Sequence, residues 1–220
     1  MIRLKNFKKK YKEKEIISCD DVTFEENKIS FIMAPNGTGK TTLLKCIFNL
    51  EGYEGTIIED EADVDANSLS KIVLWDDSPF YTNLTGFANL RVFSGKTKKD
   101  EEILRSSLKY LDEDTLKRKV KNYSYGQKKK LGLILTDIMK PRIIAMDEIT
   151  NGLDYDSILL LKKHLATIKS GKTIIITGHQ LPIYDDIIDN LFVIKDRKIC
   201  QVEKGNKRLE EVYHEVFSGD

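Results

Sequence analysis

The chain has 220 residues, 40% hydrophobic and 32% charged, enough for one large core or two small ones. Its 36 basic and 35 acidic side chains leave a net charge of +1, which gives no reason to expect a nucleic-acid partner held by bulk electrostatics. Three cysteines, far apart and without C-x-x-C spacing, argue against a zinc site or a disulfide framework; the opening stretch has no apolar h-region and does not read as a signal peptide, and no apolar run approaches the ~18 residues of a membrane span.

Taken in order, strand-like runs open the chain at Ile2 to Leu4, Glu15 to Phe24 and Lys28 to Met33. The last two are separated only by the turn EENK, so an antiparallel start is expected. The run Lys8-Lys9-Lys10 reads as a solvated strand edge or loop. APNGTGK follows the third strand, and TTLLKCIFNL has helical spacing. GTIIE and KIVLW read as strands. From Pro79 to Met139 the pattern is helical, with EEILRSSLKYL and KKKLGLILTDIM as its clearest segments. RIIAMDE and KTIIITGH suit strands buried on both faces, and the helix-length DSILLLKKHLATIK between them completes a parallel βαβ unit. NLFVIKDRKICQVEKG reads as a hairpin turned at Asp196-Arg197, with a short helix following to Phe217.

Two stretches carry the spacing of a phosphate-binding loop, each with Ala where the pattern opens on Gly: Ala34 to Thr42 and Ala166 to Thr173. Such a loop needs a strand before it and a helix after it, because the helix N-terminus supplies unpaired N–H groups and a positive dipole end. The first stretch meets both conditions. The second inverts them, so Gly171 is expected as a helix cap and Lys172 as the start of a strand. In the first, Gly37 and Gly39 permit left-handed turns, Lys40 can reach phosphates and Thr41 can offer a hydroxyl to Mg²⁺. A plain glycine turn at a strand–helix junction is the bland alternative. Asp147, at a strand end, can hold Mg²⁺ through water, and Glu148 can polarise an attacking water; alone, they could be two acids capping a strand.

These motifs, in this order, resemble the nucleotide-binding subunit of an ABC transporter. APNGTGKTT resembles Walker A, YSYGQKKKL the superfamily's signature, RIIAMDE Walker B with its catalytic Glu, NGLD the D-loop, and TGHQ the switch-histidine segment. WDDSPFYTNLTGFANL resembles the Q-loop and the start of a helical subdomain. The resemblance implies an α/β fold: a P-loop, RecA-like parallel-sheet core with an N-terminal antiparallel β subdomain and an inserted α-helical subdomain. It implies one ABC ATPase domain over residues 1–220, with 1–78 and 140–220 as the ATP-binding core and 79–139 as the inserted subdomain. Glu148, His179, Lys40 and Asp76 would be catalytic. ATP would be held by Tyr11 (stacked on adenine), Asn36, Gly37, Thr38, Gly39, Lys40, Thr41, Thr42, Ser124, Gly126, Gln127 and Asp154, and Mg²⁺ by Thr41, Asp147 and Asp76.

Three positions depart from the family's pattern. Asp76 stands at the Q-loop glutamine, adding a charge near the γ-phosphate. Tyr125 replaces the first signature glycine, and Ile149 a proline. Outside these motifs, His164 and His214 read as helix-surface residues. Trp75, Phe80, Tyr81, Phe87 and Phe93 either form a docking groove for a permease or the small core of the inserted subdomain. The implied partners are a membrane-spanning permease subunit and a second ATP-binding subunit, in a homodimer or heterodimer, with no nucleic acid. The implied location is cytoplasmic, peripheral on the membrane, and the implied direction is export. The alternative is a soluble ABC-type ATPase of repair, chromosome maintenance or translation; with only ~60 residues between Pro79 and Met139, a long coiled coil has no room.

Overall fold

A computed structural model describes residues 1–59, 71–77, 79–95 and 107–218. Among the described residues nine strands form one sheet: β1 Ile2–Tyr11, β2 Lys14–Phe24, β3 Lys28–Met33, β4 Glu54–Glu59, β5 Lys71–Leu74, β6 Ile143–Asp147, β7 Thr173–Thr177, β8 Asn190–Lys195 and β9 Lys198–Val202, in the order β4-β1-β2-β9-β8-β3-β7-β6-β5. The run β8-β3-β7-β6-β5 is parallel throughout. The helices are α1 Lys40–Ile47, α2 Gly86–Ser94, α3 Glu113–Lys117, α4 Tyr125–Met139, α5 Tyr155–Ile168, α6 Leu181–Tyr184 and α7 Leu209–Phe217. None is long and apolar enough to cross a membrane among the described residues.

The apolar central strands feed two cores because alternate side chains point to opposite faces. Ile174 and Ile176 of β7, with Ile144 and Met146 of β6, face the core that holds Leu131, Leu133 and Ile134 of α4 and Leu161 and Leu165 of α5. Ile175, Ile143 and Ala145 face the other core, with Leu43, Leu44 and Ile47 of α1 and Ile2, Leu4 and Phe7 of β1. The parallel run is thus covered on both sides, and each of its strands ends at the same edge.

The antiparallel expectation holds for β1 with β2 and with β4. It fails for β2 with β3. The chain turns at EENK, but β9 and β8 lie between the two strands, and β3 pairs in parallel with β7 and β8. KISFIM is buried on both faces, and only the centre of the sheet provides that environment. The two parts of the sheet meet at the β8–β9 hairpin, turned at Asp196 and Arg197 with φ of 50° and 63°, a type I′ geometry. Its tip joins β2 through the Ser18–Lys198 pair and the Ser18 N–H to the Arg197 carbonyl, 2.8 Å.

β1 extends to Tyr11, well past Leu4. A bulge at Asn6 (φ 47°) flips the alternation, so Ile2 and Leu4 are buried before it and Phe7 and Lys9 after it. The lysine run is therefore not a uniformly solvated edge. Lys9 is buried, with Nζ 3.0 Å from Glu51 and donating to the Gly52 carbonyl at 2.8 Å. His164 is a second correction. It is not on a helix surface but buried between α4 and the segment before α3, with Tyr110 Oη 2.6 Å from Nδ1 and Thr136 Oγ1 2.8 Å from Nε2. Burial pushes its pKa down to about 4, against the pull of Asp137. His214 is exposed, as expected.

In the inserted region α2 is capped by Thr85, whose side chain accepts from Ala88 N–H at 3.1 Å. Most of EEILRSSLKYL lies outside the described residues. Phe80, Phe87 and Phe93 pack on the core, whereas Tyr81 is 56% exposed. Three of the five aromatics thus serve that core, and Tyr81 stands outside it.

Candidate active site

β3 ends at Met33, and residues 34–39 lead into α1. Gly37 (φ 77°) and Gly39 (φ 105°) adopt left-handed geometry. At Gly39, the N-cap of α1, a side chain would be strained on the backbone and would sit 2.9 Å from Ile16 Cγ2. Thr38 Oγ1 donates to the Pro35 carbonyl at 2.8 Å, closing the loop on itself. Lys40 is 6% exposed, and its Nζ donates to the Ala34 carbonyl at 2.8 Å and to Pro35 at 3.2 Å, lying over the loop. Burial pushes its pKa down from the usual lysine value, opposed by Glu148 and Asp147. A buried cation at a helix N-terminus suits a phosphate chain. Ala34 is buried without disturbing the turn.

The carboxylates arrive from the neighbouring strands. Asp147 is the last residue of β6 and pairs in register with Thr177 of β7. Thr177 Oγ1 donates to Asp147 Oδ1 at 2.6 Å, and Thr41 Oγ1 donates to Oδ2 at 2.8 Å. Thr41 and Asp147 thus place two hard oxygens side by side. Among the described residues no group of three or more His, Cys, Asp or Glu is placed to hold a metal. The pair therefore fits a divalent cation that takes its other oxygens from water and phosphate.

Glu148 leaves the strand with φ 52°, a strained conformation for a residue with a Cβ, stabilised by its N–H to the Thr177 carbonyl at 3.1 Å. The turn aims its carboxylate into the cleft. His179 Nε2 lies 2.9 Å from Oε1, and Asn151 Nδ2 donates to Oε2 at 2.7 Å. An open cleft of about 270 Å³ is lined by Tyr11, Ile16, Asn36, Gly37, Gly39, Lys40, Thr41, Thr42 and Glu148. Tyr11 is 46% exposed at its mouth, its hydroxyl bonded to Glu51 and its ring 4.5 Å from Lys9 Nζ.

The remaining expected residues lie apart from that cleft. Ser124 caps α4 in a capping box: its Oγ accepts from Gln127 N–H at 3.2 Å, and Gln127 Oε1 accepts from Ser124 N–H at 3.0 Å. Gly126 is one residue into the same helix. Asp154 caps α5, accepting from Ser157 N–H at 2.8 Å; these bonds hold its pKa below the usual carboxylate value. Asp76 makes no hydrogen bond to Thr41 or Asp147. It accepts instead from Lys129 Nζ at 3.0 Å, from the Tyr125 hydroxyl, and from Asn151 Nδ2 at 3.4 Å. The charge expected of Asp76 is therefore matched by a buried cation.

Sequence reasoning assigned no role to Thr177 or Lys129, and it placed Asn151 in the NGLD stretch without linking it to Glu148. Lys129 did carry a signal, since i and i+4 spacing puts it on one helix face with Tyr125. Thr177 and Asn151 depend on strand register and turn geometry.

The ABC transporter family model matches residues 19–151, more than half of the chain. The lantibiotic transport ATP-binding protein SrtF of Streptococcus pyogenes is 30% identical, over 97% of this chain and 96% of its own length. The bacitracin transport ATP-binding protein BcrA of Enterococcus faecalis is 28% identical, over 96% of this chain and 73% of its own. A solved ATP-binding subunit of an ABC transporter superposes with a TM-score of 0.81 at 19% identity, covering 97% and 92% of the two chains, which bears on the fold. With Lys40, Asp147, Glu148 and His179 gathered at one edge of such a sheet, the chain belongs to the ABC transporter family as an ATP-binding, ATP-hydrolysing subunit.

Proposed function

We propose that this subunit drives export through a separate membrane-spanning permease, on whose cytoplasmic face it sits, and that its cargo belongs to the peptide antimicrobials. The names of SrtF and BcrA, for lantibiotic and bacitracin transport, support the cargo class. The observation that carries the catalytic part is the Glu148–His179 pair beside the Thr41–Asp147 pair, above the phosphate loop. Lys40 and the N–H groups at the start of α1 bind the phosphates. Thr41 and Asp147 would hold Mg²⁺, which when bound would supply charge neutralisation at the phosphates. Glu148 accepts the proton of an attacking water, and His179 and Asn151 keep its two oxygens oriented. Tyr11 offers a ring to the base.

Ser124 and Gly126 are not among the residues lining this cleft. We assign them to the phosphates of a second ATP-binding subunit, so that two chains close on two nucleotides. Residues 79–139 act as the inserted subdomain between core segments 1–78 and 140–220, and Tyr81 marks its docking face for the permease. The test is solution mass by light scattering on Glu148→Gln, with and without Mg-ATP. A shift from monomer to dimer is expected; a chain that binds ATP yet stays monomeric removes self-pairing from this reading.

A further inference from the structure

Asp76 lies at the meeting point of three elements: the segment after β5, the first turns of α4, and the turn after β6. Its Oδ1 receives Lys129 Nζ, the Tyr125 hydroxyl and the Asn151 amide. The Lys129 side chain is 1% exposed, and its ammonium also lies 5.0 Å from the centre of the Tyr125 ring. A buried ammonium is costly without an acid partner, and Asp76 is the acid in contact with it. The reverse also holds. An uncompensated carboxylate at position 76 would add a like charge near Glu148, to which it is joined through one amide. That amide, Asn151 Nδ2, is 3.4 Å from Asp76 Oδ1 and 2.7 Å from Glu148 Oε2. Tyr125 tightens the junction from the other side: its ring lies so close to Gly152 (φ 69°) that a Cβ there would be 2.4 Å from the ring.

We propose that Lys129 and Asn151 are positioning residues for Glu148. Lys129 neutralises Asp76, and Asn151 ties that pair to Oε2 of the catalytic carboxylate, so the helix carrying Ser124 and Gly126 orients Glu148 of its own chain. The proposal rests on the ATPase reading, and it predicts effects on turnover without effects on nucleotide affinity.

The experiment is steady-state Mg-ATP hydrolysis by the purified chain, with thermal midpoints recorded alongside, for Lys129→Gln, Asp76→Gln, Asn151→Ala, the Asp76→Gln/Lys129→Gln pair, and Lys129→Gln combined with Asn151→Ala. Misplacing a catalytic group costs about tenfold to a hundredfold, so Lys129→Gln and Asn151→Ala should lower kcat by that factor with KM little changed. Asp76→Gln strands the buried lysine and should be at least as slow. The Gln/Gln pair should regain most of the wild-type kcat, because a neutral amide can still accept from Asn151. Lys129→Gln should add little once Asn151 is gone, since both act on one carboxylate. A wild-type kcat in Lys129→Gln, a Gln/Gln pair as slow as the product of its singles, or losses of kcat that merely follow the thermal midpoint would each overturn the proposal. If Lys129→Gln does not fold, Asn151→Ala carries the same prediction, and an unchanged kcat there is equally decisive. A wild-type chain that neither binds nor hydrolyses ATP would instead overturn the functional reading itself.

Discussion

Two stretches of this chain share one spacing and opposite surroundings. In residues 34–42 a strand comes first, and Gly39 (φ 105°) opens α1 at the sheet edge where β6 and β7 deliver Asp147 and Thr177. In residues 166–173 a helix comes first: α5 ends at Ile168, Gly171 (φ 69°) turns the chain, and β7 starts at Thr173. Lys40 lies buried over its own loop, within the influence of Glu148 and Asp147. Lys172 donates to the Pro141 carbonyl at 2.9 Å, just before β6 begins. One lysine follows a glycine at the start of a helix dipole and the other does so at the start of a strand. The chemistry comes from the order of the elements, because only a helix N-terminus leaves its N–H groups free for phosphate.

The strongest way to break this comparison is to remove each lysine in turn. Lys40→Ala should lower ATP turnover by about a hundredfold or more, the scale on which losing one preorganised cation or donor at a reacting phosphate is felt. Lys172→Ala should leave kcat and KM near wild type. Hydrolysis assays at saturating and limiting Mg-ATP check both. Equal losses in the two variants would mean that element order does not separate the loops.

The contrast extends to two histidines. His179 follows β7 and faces Glu148; His164 sits inside α5 and faces Tyr110, Thr136 and Asp137. The folded pKa of His164 is pushed down to about 4, below that of an unfolded histidine. The neutral ring's stabilisation is therefore complete above about pH 6.5 and is lost as pH falls from there towards 4, where the unfolded chain takes up a proton that the folded one resists. The loss amounts to about 3 kcal/mol over that window. Urea midpoints at pH 7 and pH 4.5 should fall more in the wild type than in His164→Gln. A parallel fall in both would place the acid sensitivity elsewhere.

The phosphate loop, the Asp147–Glu148 pair, His179 and the βαβ unit were legible in the sequence because each lies within one contiguous motif or its immediate flanks. What stayed hidden depends on distant partners. The site of His164 is made by Tyr110 and Thr136, 54 and 28 residues away. Lys129 and Asp76 find each other across 53 residues. The burial of Lys9 follows from one bulged residue that reversed the alternation of β1. The pairing of β3 departs from the local pattern because a short turn suggests a hairpin, while a strand apolar on both faces requires the middle of the sheet. Local pattern identifies the pieces; register and burial decide which of them touch.

The finest comparison is between the two glycines. An alanine at position 39 would have to hold φ near 105°, outside the usual left-handed well, and its Cβ would meet Ile16 Cγ2 at 2.9 Å. The cost should be about 1–3 kcal/mol, accompanied by weaker ATP binding as the loop shifts. An alanine at position 171 needs φ of 69°, within the ordinary left-handed region, and meets no atom within 4 Å. It should cost about 1 kcal/mol and leave ATP binding unchanged. Titration with a fluorescent ATP analogue, paired with urea unfolding, separates the two readouts. The affinity difference is the more telling one, because backbone strain exists at both glycines and only Gly39 adjoins the N–H groups at the start of α1. If Gly171→Ala weakened ATP binding as much as Gly39→Ala, the second loop would have to communicate with the cleft through β7, which ends at Thr177 just before His179.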